Sequence, residues 1–347
     1  VTQLRLRFLP DLTSLPGTLL WLGCALYLLG IAWWWMLRLV FADAWWWLFL
    51  LNSAAVFLFV PLPVAVLVAA LQRNVVLIAG ALFAVAIFLS AWGGLLLPHS
   101  QPDATGPVVT VMTYNLLVSN RDTRGVVDAI REANADVVGF VELNQTMARA
   151  IQRELAEEYP YQVMNEEDSV SGAGVISRYP IERVDVSALD DPLWVGDPIA
   201  VEVDWEGRPF LFVEVHSPAS SHKVDIREHQ ARLLRDFARE QALPLIVGGD
   251  FNASDRNQSI SIVKEALNDA FRNAGTGLGH TFPGASRADT RGSSRPESYG
   301  ITWPQWLVRI DYIFYSDDWQ AIDARIAPWE GSSDHRGVIA ELALPAP

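Results

Sequence analysis

One cysteine, Cys24, is all this chain has, so no intramolecular disulfide reports on the compartment and no thiol cluster is available for structural zinc. Charge is nearly missing from a long stretch as well: between Pro16 and Leu97 only Arg38, Asp43 and Arg73 are charged. A soluble domain does not leave so many consecutive residues bare, because its solvated face needs polar groups. Basic residues are scarce over the remainder. The first hundred residues hold four Arg and two Asp of the 26 basic and 40 acidic residues, which leaves 22 and 38 to residues 101–347, a net charge of −16 there. That balance gives no general footprint for a phosphate polymer, so no stable nucleic-acid partner is expected, although it is compatible with a local basic patch. The sequence shows no internal repeat.

A helix needs about 20 apolar residues to cross a hydrocarbon core of ~30 Å. Three stretches meet this: Gly17 to Leu37, Ala44 to Leu71 and Val75 to Leu97. The expected organisation is a membrane domain over 1–97 with spans at about 17–37, 44–71 and 75–97, a linker over 98–107, and a soluble domain over 108–347. The middle stretch is overlong and contains Pro61 and Pro63, which predicts a kinked or tilted span, or an interfacial turn followed by a span. Trp33, Trp34 and Trp35 precede Arg38, and Trp45, Trp46 and Trp47 follow Asp43, so the first loop is flanked by two halves of an aromatic belt; stacking in a soluble core is the alternative. The lipid bilayer is then a partner. An N-terminus inside puts Arg5, Arg7 and Arg73 in the cytoplasm and only Arg38 outside, and three spans carry the soluble domain to the extracytoplasmic side. The apolar run continues past any plausible cleavage point, against a signal peptide, and no polar sequence follows Leu22-Gly23-Cys24 as it does at a lipoprotein site.

The linker of about ten residues reaches at most about 33 Å at roughly 3.3 Å per residue, which holds the soluble domain close to the bilayer. Beyond it, strand and helix patterns alternate. Strands are expected at Val108 to Tyr114, Val137 to Val141, Gly174 to Ser177, Ile199 to Val203, Phe210 to Val215, Pro244 to Val247, Arg309 to Tyr315, Ala324 to Ala327 and Gly337 to Leu344. Helices are expected after Asp122 or Thr123, over Gln145 to Glu158, Val224 to Ala242 and Ser259 to Arg272. Gly275 to Gly300 is too long and polar for a simple connection.

Polar motifs end or interrupt these strands: Thr113-Tyr114-Asn115, Val141-Glu142, Val215-His216, Gly249-Asp250-Phe251-Asn252, Ile310-Asp311-Tyr312 and Ser333-Asp334-His335. Carboxylates, amides and imidazoles set beside apolar runs carry a desolvation penalty unless they satisfy one another or hold a metal, which points to one shared site. Asp250 and Asn252, two apart, turn to one face in extended backbone. Asp311 inside an apolar run needs a partner, and a histidine suits it. Mg²⁺ prefers oxygen ligands, and one or two carboxylates plus a substrate phosphate suffice. A carboxylate that prepares water and an imidazolium beside Asp311 fit hydrolysis at phosphorus. His229 and His280 have no motif around them and are expected to be structural, and Arg178 is left out of the site.

On these residues, together with Gly172-Ala173-Gly174-Val175-Ile176-Ser177-Arg178-Tyr179-Pro180, the stretch from about 108 to 344 resembles the endonuclease/exonuclease/phosphatase superfamily, the DNase I-like fold. The resemblance implies an α/β fold, a four-layer sandwich of two β-sheets flanked by helices, here preceded by three transmembrane helices. It implies Glu142 as the main ligand of Mg²⁺, or of Mn²⁺, with Asn115 near metal and phosphate and Asp334 beside the metal. Asp250 would orient or deprotonate the attacking water, Asn252 would hydrogen-bond a phosphoryl oxygen, and His335, oriented by Asp311, would contact phosphate or act as acid/base. His216 matches a second phosphate-contacting histidine, with a satisfied core or loop histidine as the alternative.

Fold does not set substrate. Signatures of inositol 5-phosphatases are absent, the chain having Val247-Gly248-Gly249-Asp250 and Val308-Arg309-Ile310-Asp311 instead. Three N-terminal spans before such a domain resemble the membrane-bound bacterial branch that includes vancomycin and teicoplanin resistance-type proteins, which implies a plasma-membrane protein with an outward catalytic domain and a polyprenyl diphosphate as substrate. The leading expectation is a Mg²⁺-dependent phosphoesterase acting on a membrane lipid, either a polyprenyl diphosphate or a phospholipid headgroup. The alternatives are an outward-facing nuclease, which needs a basic groove, and a non-catalytic binding module, which has no use for the intact motif set.

Overall fold

The computed structural model describes residues 14–97, 104, 106–189, 191–284, 297–298, 301–302, 305–328 and 331–344. Arg5, Arg7, Trp303, most of the expected linker and most of the stretch from 285 to 300 lie outside the described residues. The chain forms two units, Val1–Leu96 and Leu97–Pro347.

In the first unit, α1 (Leu15–Phe41) starts at Ser14, whose Oγ accepts from Gly17 N at 3.3 Å, and Pro16 falls in the first turn, where no N–H donor is needed. The expected middle span is not one helix. It divides into α2 (Trp46–Ser53), a 3₁₀ segment (Ala55–Phe59) and α3 (Leu62–Gln72), and the break before α3 falls where Pro61 and Pro63 lack the N–H groups a continuous ladder requires. At about 12 Å, α2 is too short to cross a bilayer. Ala55–Gln72 as a whole is long and apolar enough, as are Leu15–Phe41 and Val75–Leu96, so this unit has three segments able to anchor the chain in a membrane. The last begins with α4 (Val75–Trp92), capped by Asn74. Trp33, Trp45, Trp46 and Trp47 face outward, whereas Trp34 is buried. Its Nε1 donates to Asn52 Oδ1 at 3.0 Å, and Asn52 Nδ2 donates to the buried Asp43 carboxylate at 2.7 Å, so the acid of the first loop is turned inward and satisfied there.

The second unit begins with β1 (Val108–Asn115), α5 (Thr123–Ala133), β2 (Val137–Val141), α6 (Gln145–Glu154), β3 (Tyr161–Asn165), β4 (Ala173–Ser177), β5 (Ile181–Arg183), β6 (Ile199–Trp205) and β7 (Arg208–His216). It continues through α7 (Val224–Glu240), β8 (Leu245–Asp250), α8 (Gln258–Val263), β9 (Asn268–Asp269), α9 (Ala270–Ala274), β10 (Glu297–Ser298), β11 (Ile301–Thr302), β12 (Asp311–Tyr315), β13 (Gln320–Ile326) and β14 (Val338–Ala343). Two six-stranded sheets result, in the orders β13-β14-β1-β2-β4-β3 and β5-β6-β7-β8-β12-β9. Alternation decides what each face does. On β1 and β2, Met112, Tyr114, Val138 and Phe140 pack under α5 and α6 with Val126, Ile130, Met147 and Ile151. The intervening Thr113, Asn115 and Gly139 are thereby left to the face that meets the second sheet. The helices flank the paired sheets, giving the expected sandwich.

One helix differs from expectation. Over Ser259 to Arg272 the chain breaks into α8, β9 and α9, because Asn268 and Asp269 pair with Tyr315 and Phe314 of β12. Asp269 then caps α9 through Arg272 N at 3.0 Å and holds buried Arg309 in a two-pronged ion pair at 2.8 and 2.7 Å. Such a pair is long-range and leaves no periodic trace in sequence.

Candidate active site

Two parallel strand pairs aim their C-terminal ends at one edge. In the first sheet Asn115 closes β1 opposite Val141, the last residue of β2, and Glu142 follows. In the second, His216 closes β7 opposite Asp250, the last residue of β8. β12 runs antiparallel to β8 and starts at this edge, so Asp311 lies opposite Asp250. The loop before β14 carries Asp334 and His335 to the same edge, tied down by Ser333, whose Oγ donates to Asn115 O at 2.7 Å and accepts from His335 N at 3.0 Å. Glu142 and Asn252 take left-handed backbone at φ 56° and 47°, a strained conformation for residues with side chains that occurs where geometry is fixed for function. Gly249 is needed for a different reason: at φ 146° a Cβ there would lie 2.0 Å from Val215 O.

The carboxylate of Asp250 is the centre. Its Oδ1 accepts from Asn252 N at 2.8 Å and its Oδ2 from Asn115 Nδ2 at 3.0 Å, while Nε2 of both His216 and His335 lies 3.7 Å from Oδ2. Asn115 Nδ2 also donates to Glu142 Oε1 at 3.1 Å, and Val118 N donates to Glu142 Oε2 at 2.9 Å. Asn115 Oδ1 accepts from Leu117 N at 3.0 Å, so its amide nitrogen is the group facing the carboxylates. His335 Nδ1 bonds Asp311 Oδ2 at 2.9 Å, and Asp334 Oδ1 stands 4.0 Å from His335 Nε2. Asn252 Nδ2 donates to Ser217 O at 2.9 Å, and His216 Nδ1 lies 3.3 Å from Val170 O. All eight residues expected from sequence are thus brought to one cluster.

Burial and crowding divide their protonation states. Burial, with the neighbouring Asp311 charge, pushes Asp250 up to about 8, and burial lifts Asp334 to about 6. For His335 burial opposes the imidazolium, but Asp311, Asp250 and Asp334 outweigh it and hold its pKa well above the ordinary range. His216 moves down, chiefly by burial. One histidine is therefore held charged and the other neutral, both beside Oδ2 of one carboxyl.

The model of the endonuclease/exonuclease/phosphatase family matches residues 112–335, well over half the chain and the span that contains every one of these side chains. The chain belongs to that family. Endonuclease/exonuclease/phosphatase enzymes act on phosphoester bonds and in general use a divalent metal ion. No curated protein sequence matches the chain. Among solved structures, a family protein from Bacteroides thetaiotaomicron is similar at 19% identity and a TM-score of 0.50, covering 68% of this chain and 98% of its own. Truncated TDP2 from Caenorhabditis elegans is similar at 17% identity and a TM-score of 0.53, covering 70% and 100%. TDP2 from D. rerio, solved with a single-strand DNA product, gives 15% and 0.52, covering 68% and 98%. At these identities the likeness is one of fold.

The donor set suits the family's metal. Among the described residues, Asp250, Asp311 and His335 offer ligand atoms within 4.8 Å of one another, a group that could hold a metal ion, although His335 Nδ1 is committed to Asp311. Glu142 and Asp334 are the better oxygen donors. Asp334 Oδ1 is buried without a hydrogen-bond partner, and Glu142 is half-buried at the open edge. A hard cation with oxygen ligands would satisfy the one and use the other.

Sequence reasoning missed Phe282 and Glu214. Phe282 lies against the His335 ring at 4.9 Å between centroids, and nothing in its local pattern signals this. Glu214, an acid within an apolar strand two residues before His216, carried a signal in its alternation. Trp306 packs under Arg336, 4.5 Å from the ring centroid, and its carbonyl faces His280 Nδ1 at 2.6 Å. His229 faces Asp191 at 3.8 Å, and Arg178 pairs with Asp136 and Asn134.

Proposed function

We propose that this chain is a membrane-anchored, divalent-metal-dependent phosphoesterase that hydrolyses a phosphate ester or diphosphate of a membrane lipid on the extracytoplasmic side. The observation that carries the reading is that one chain holds both the phosphoesterase edge and three segments able to anchor it in a bilayer. A short tether raises the effective concentration of lipid headgroups over that of soluble phosphates. The net charge of −16 on residues 101–347 works against polyanionic nucleic acid, the second reading, and the complete set of site residues works against a binding module.

In this reading Glu142 and Asp334 would hold the cation, with Asn115 Nδ2 bridging Glu142 and Asp250 and orienting both. Such a cation, when bound, would supply positive charge to the phosphoryl oxygens. Asp250, with Nε2 of both imidazoles 3.7 Å from its Oδ2, orients the attacking water and takes its proton when ionised, the form that a cation bound nearby would favour. His335 is charged, and its Nδ1–H is spent on Asp311, so Nε2–H is left to donate to a phosphoryl or leaving oxygen. His216, neutral, contacts phosphate without adding a charge, and Asn252 offers its second amide N–H to a phosphoryl oxygen. Mg²⁺ is the expected ion, with Mn²⁺ as a substitute.

Detergent-solubilised full-length protein should release phosphate from a polyprenyl diphosphate, or cleave a phospholipid headgroup, much faster than it nicks plasmid DNA at matched Mg²⁺, with D250N as the blank. Asp250-dependent DNA cleavage that outpaces every lipid tried would replace this reading with the nuclease.

A further inference from the structure

One carboxyl of the catalytic unit takes no part in the chemistry above, yet the fold makes room for it. Glu214 sits on β7 two residues before His216, on the same face, and its layer lies one pleat repeat, about 6.6 Å, below the catalytic edge. Its strand partner is Gly248, two residues before Asp250, and it reaches across the sheet interface to Thr113, two residues before Asn115. Thr113 Oγ1 and Glu214 Oε1 form a short hydrogen bond. Two glycines clear the space around the other oxygen: a Cβ on Gly139 would lie 2.1 Å from Glu214 Oε2, and one on Gly248 would lie 2.5 Å from it. Gly139 on β2 and Gly248 on β8 are therefore explained by this carboxyl.

The surroundings carry no counter-charge. Glu214 is buried, and its Oε2 has no hydrogen-bond partner among the described residues. The elements against it offer Thr113 from β1, glycines from β2 and β8, and the acids Asp250 from β8 and Asp311 from β12. An ionised Glu214 would leave a buried charge with no cation against it and two acids nearby, whereas a protonated one leaves a single uncharged oxygen unpaired, a far smaller penalty.

We propose that Glu214 is a positioning residue that works as a neutral carboxylic acid, clamping β7 to β1 so that His216 and Asp250 meet Asn115, without adding a negative charge beneath the Asp250 and Asp311 carboxyls. Burial, the largest influence on this group, pushes its pKa well above the ordinary carboxyl range, in agreement with the geometry. The proposal rests on the phosphoesterase reading for its catalytic consequence but not for the protonation state.

Full-length protein separates the two. In the infrared difference spectrum of wild type minus E214Q at neutral pH, a protonated-carboxyl carbonyl band that shifts in D₂O is expected; its absence overturns the proposal whatever the enzyme hydrolyses. E214Q keeps the size, the neutrality and the Thr113 bond, so kcat should stay within about threefold and the acid limb of the pH–kcat/KM profile should not move. E214A releases the clamp and should lower kcat by about tenfold or more with KM within about twofold, a split that general destabilisation does not produce. Were Glu214 ionised, E214Q would remove a negative charge next to Asp250 and draw the acid limb to lower pH by about a unit or more, which refutes neutrality. E214A with full kcat refutes the positioning role. A protein that turns over no phosphoester, lipid or nucleic acid, yet shows the band, keeps the proposal's charge state and loses the proposed function.

Discussion

Replacing Asp250 by asparagine should abolish turnover and at the same time make the metal-free protein more stable. Burial and the adjacent Asp311 hold this carboxyl at about 8, whereas an exposed one in the unfolded chain titrates near about 3.9. At neutral pH the unfolded chain therefore releases a proton that the folded chain keeps. The gap of roughly three pH units, at about 1.4 kcal/mol each, amounts to about 4 kcal/mol working against the fold. D250N is neutral in both states and removes this term. It retains the acceptor for Asn252 N but sets one amide group against Asn115 Nδ2, an offset of about 1–2 kcal/mol. The net gain of about 2–3 kcal/mol raises Tm by roughly 5–10 °C for a unit of this size. The sign follows from a folded pKa above the unfolded one: the carboxyl does no harm below about pH 4 and its burden grows as pH rises toward about 8, so the D250N advantage should shrink to nothing in acid. Thermal unfolding of detergent-solubilised full-length protein in chelator, at about pH 4.5 and about pH 7, measures both. A variant less stable than wild type at neutral pH, or an advantage equal at the two pH values, would refute the reasoning.

E142Q should lower turnover by about 100-fold or more while leaving Tm in chelator nearly unchanged, since the side chain serves the cation rather than the core; full activity of this variant in chelator would remove Glu142 from the metal site. In a double-mutant cycle the D311N and H335A losses should be strongly non-additive, because a carboxylate that orients an imidazole has no task once the ring is gone; simple multiplication of the losses would mean independent roles. D311N alone removes a charge that keeps His335 protonated, so the basic limb of the pH–rate profile should move to lower pH, and an unmoved limb counts against a charged His335. A periplasm-active reporter fused after Pro347 should be active and a cytoplasm-only reporter silent; the reverse would mean an even number of crossings and would withdraw external lipids as substrates.

The family-bearing motifs were legible because each is local. Asn115, Glu142, His216, Asp250 and Asp311 stand at strand ends, where period-two apolar runs stop, and the runs themselves announce β1, β2, β7, β8 and β12. The long uncharged stretch likewise announced segments long and apolar enough to cross a membrane, since hydrocarbon tolerates little else. What the sequence could not specify are matters of pairing between distant segments. That Asp269 breaks an expected helix to meet Arg309, and that Phe282 lies on His335, depend on neighbours thirty or more residues away. Glu214 is the clearest case. Its sequence position says only that an acid interrupts an apolar strand; the facing sheet decides that it meets a threonine and two glycines instead of a cation. Charge states belong to the same class: burial works against charge on both His216 and His335, which stand at the same distance from Asp250, and only His335 has carboxylates, Asp311 foremost, that the assembled sheets bring close enough to outweigh it.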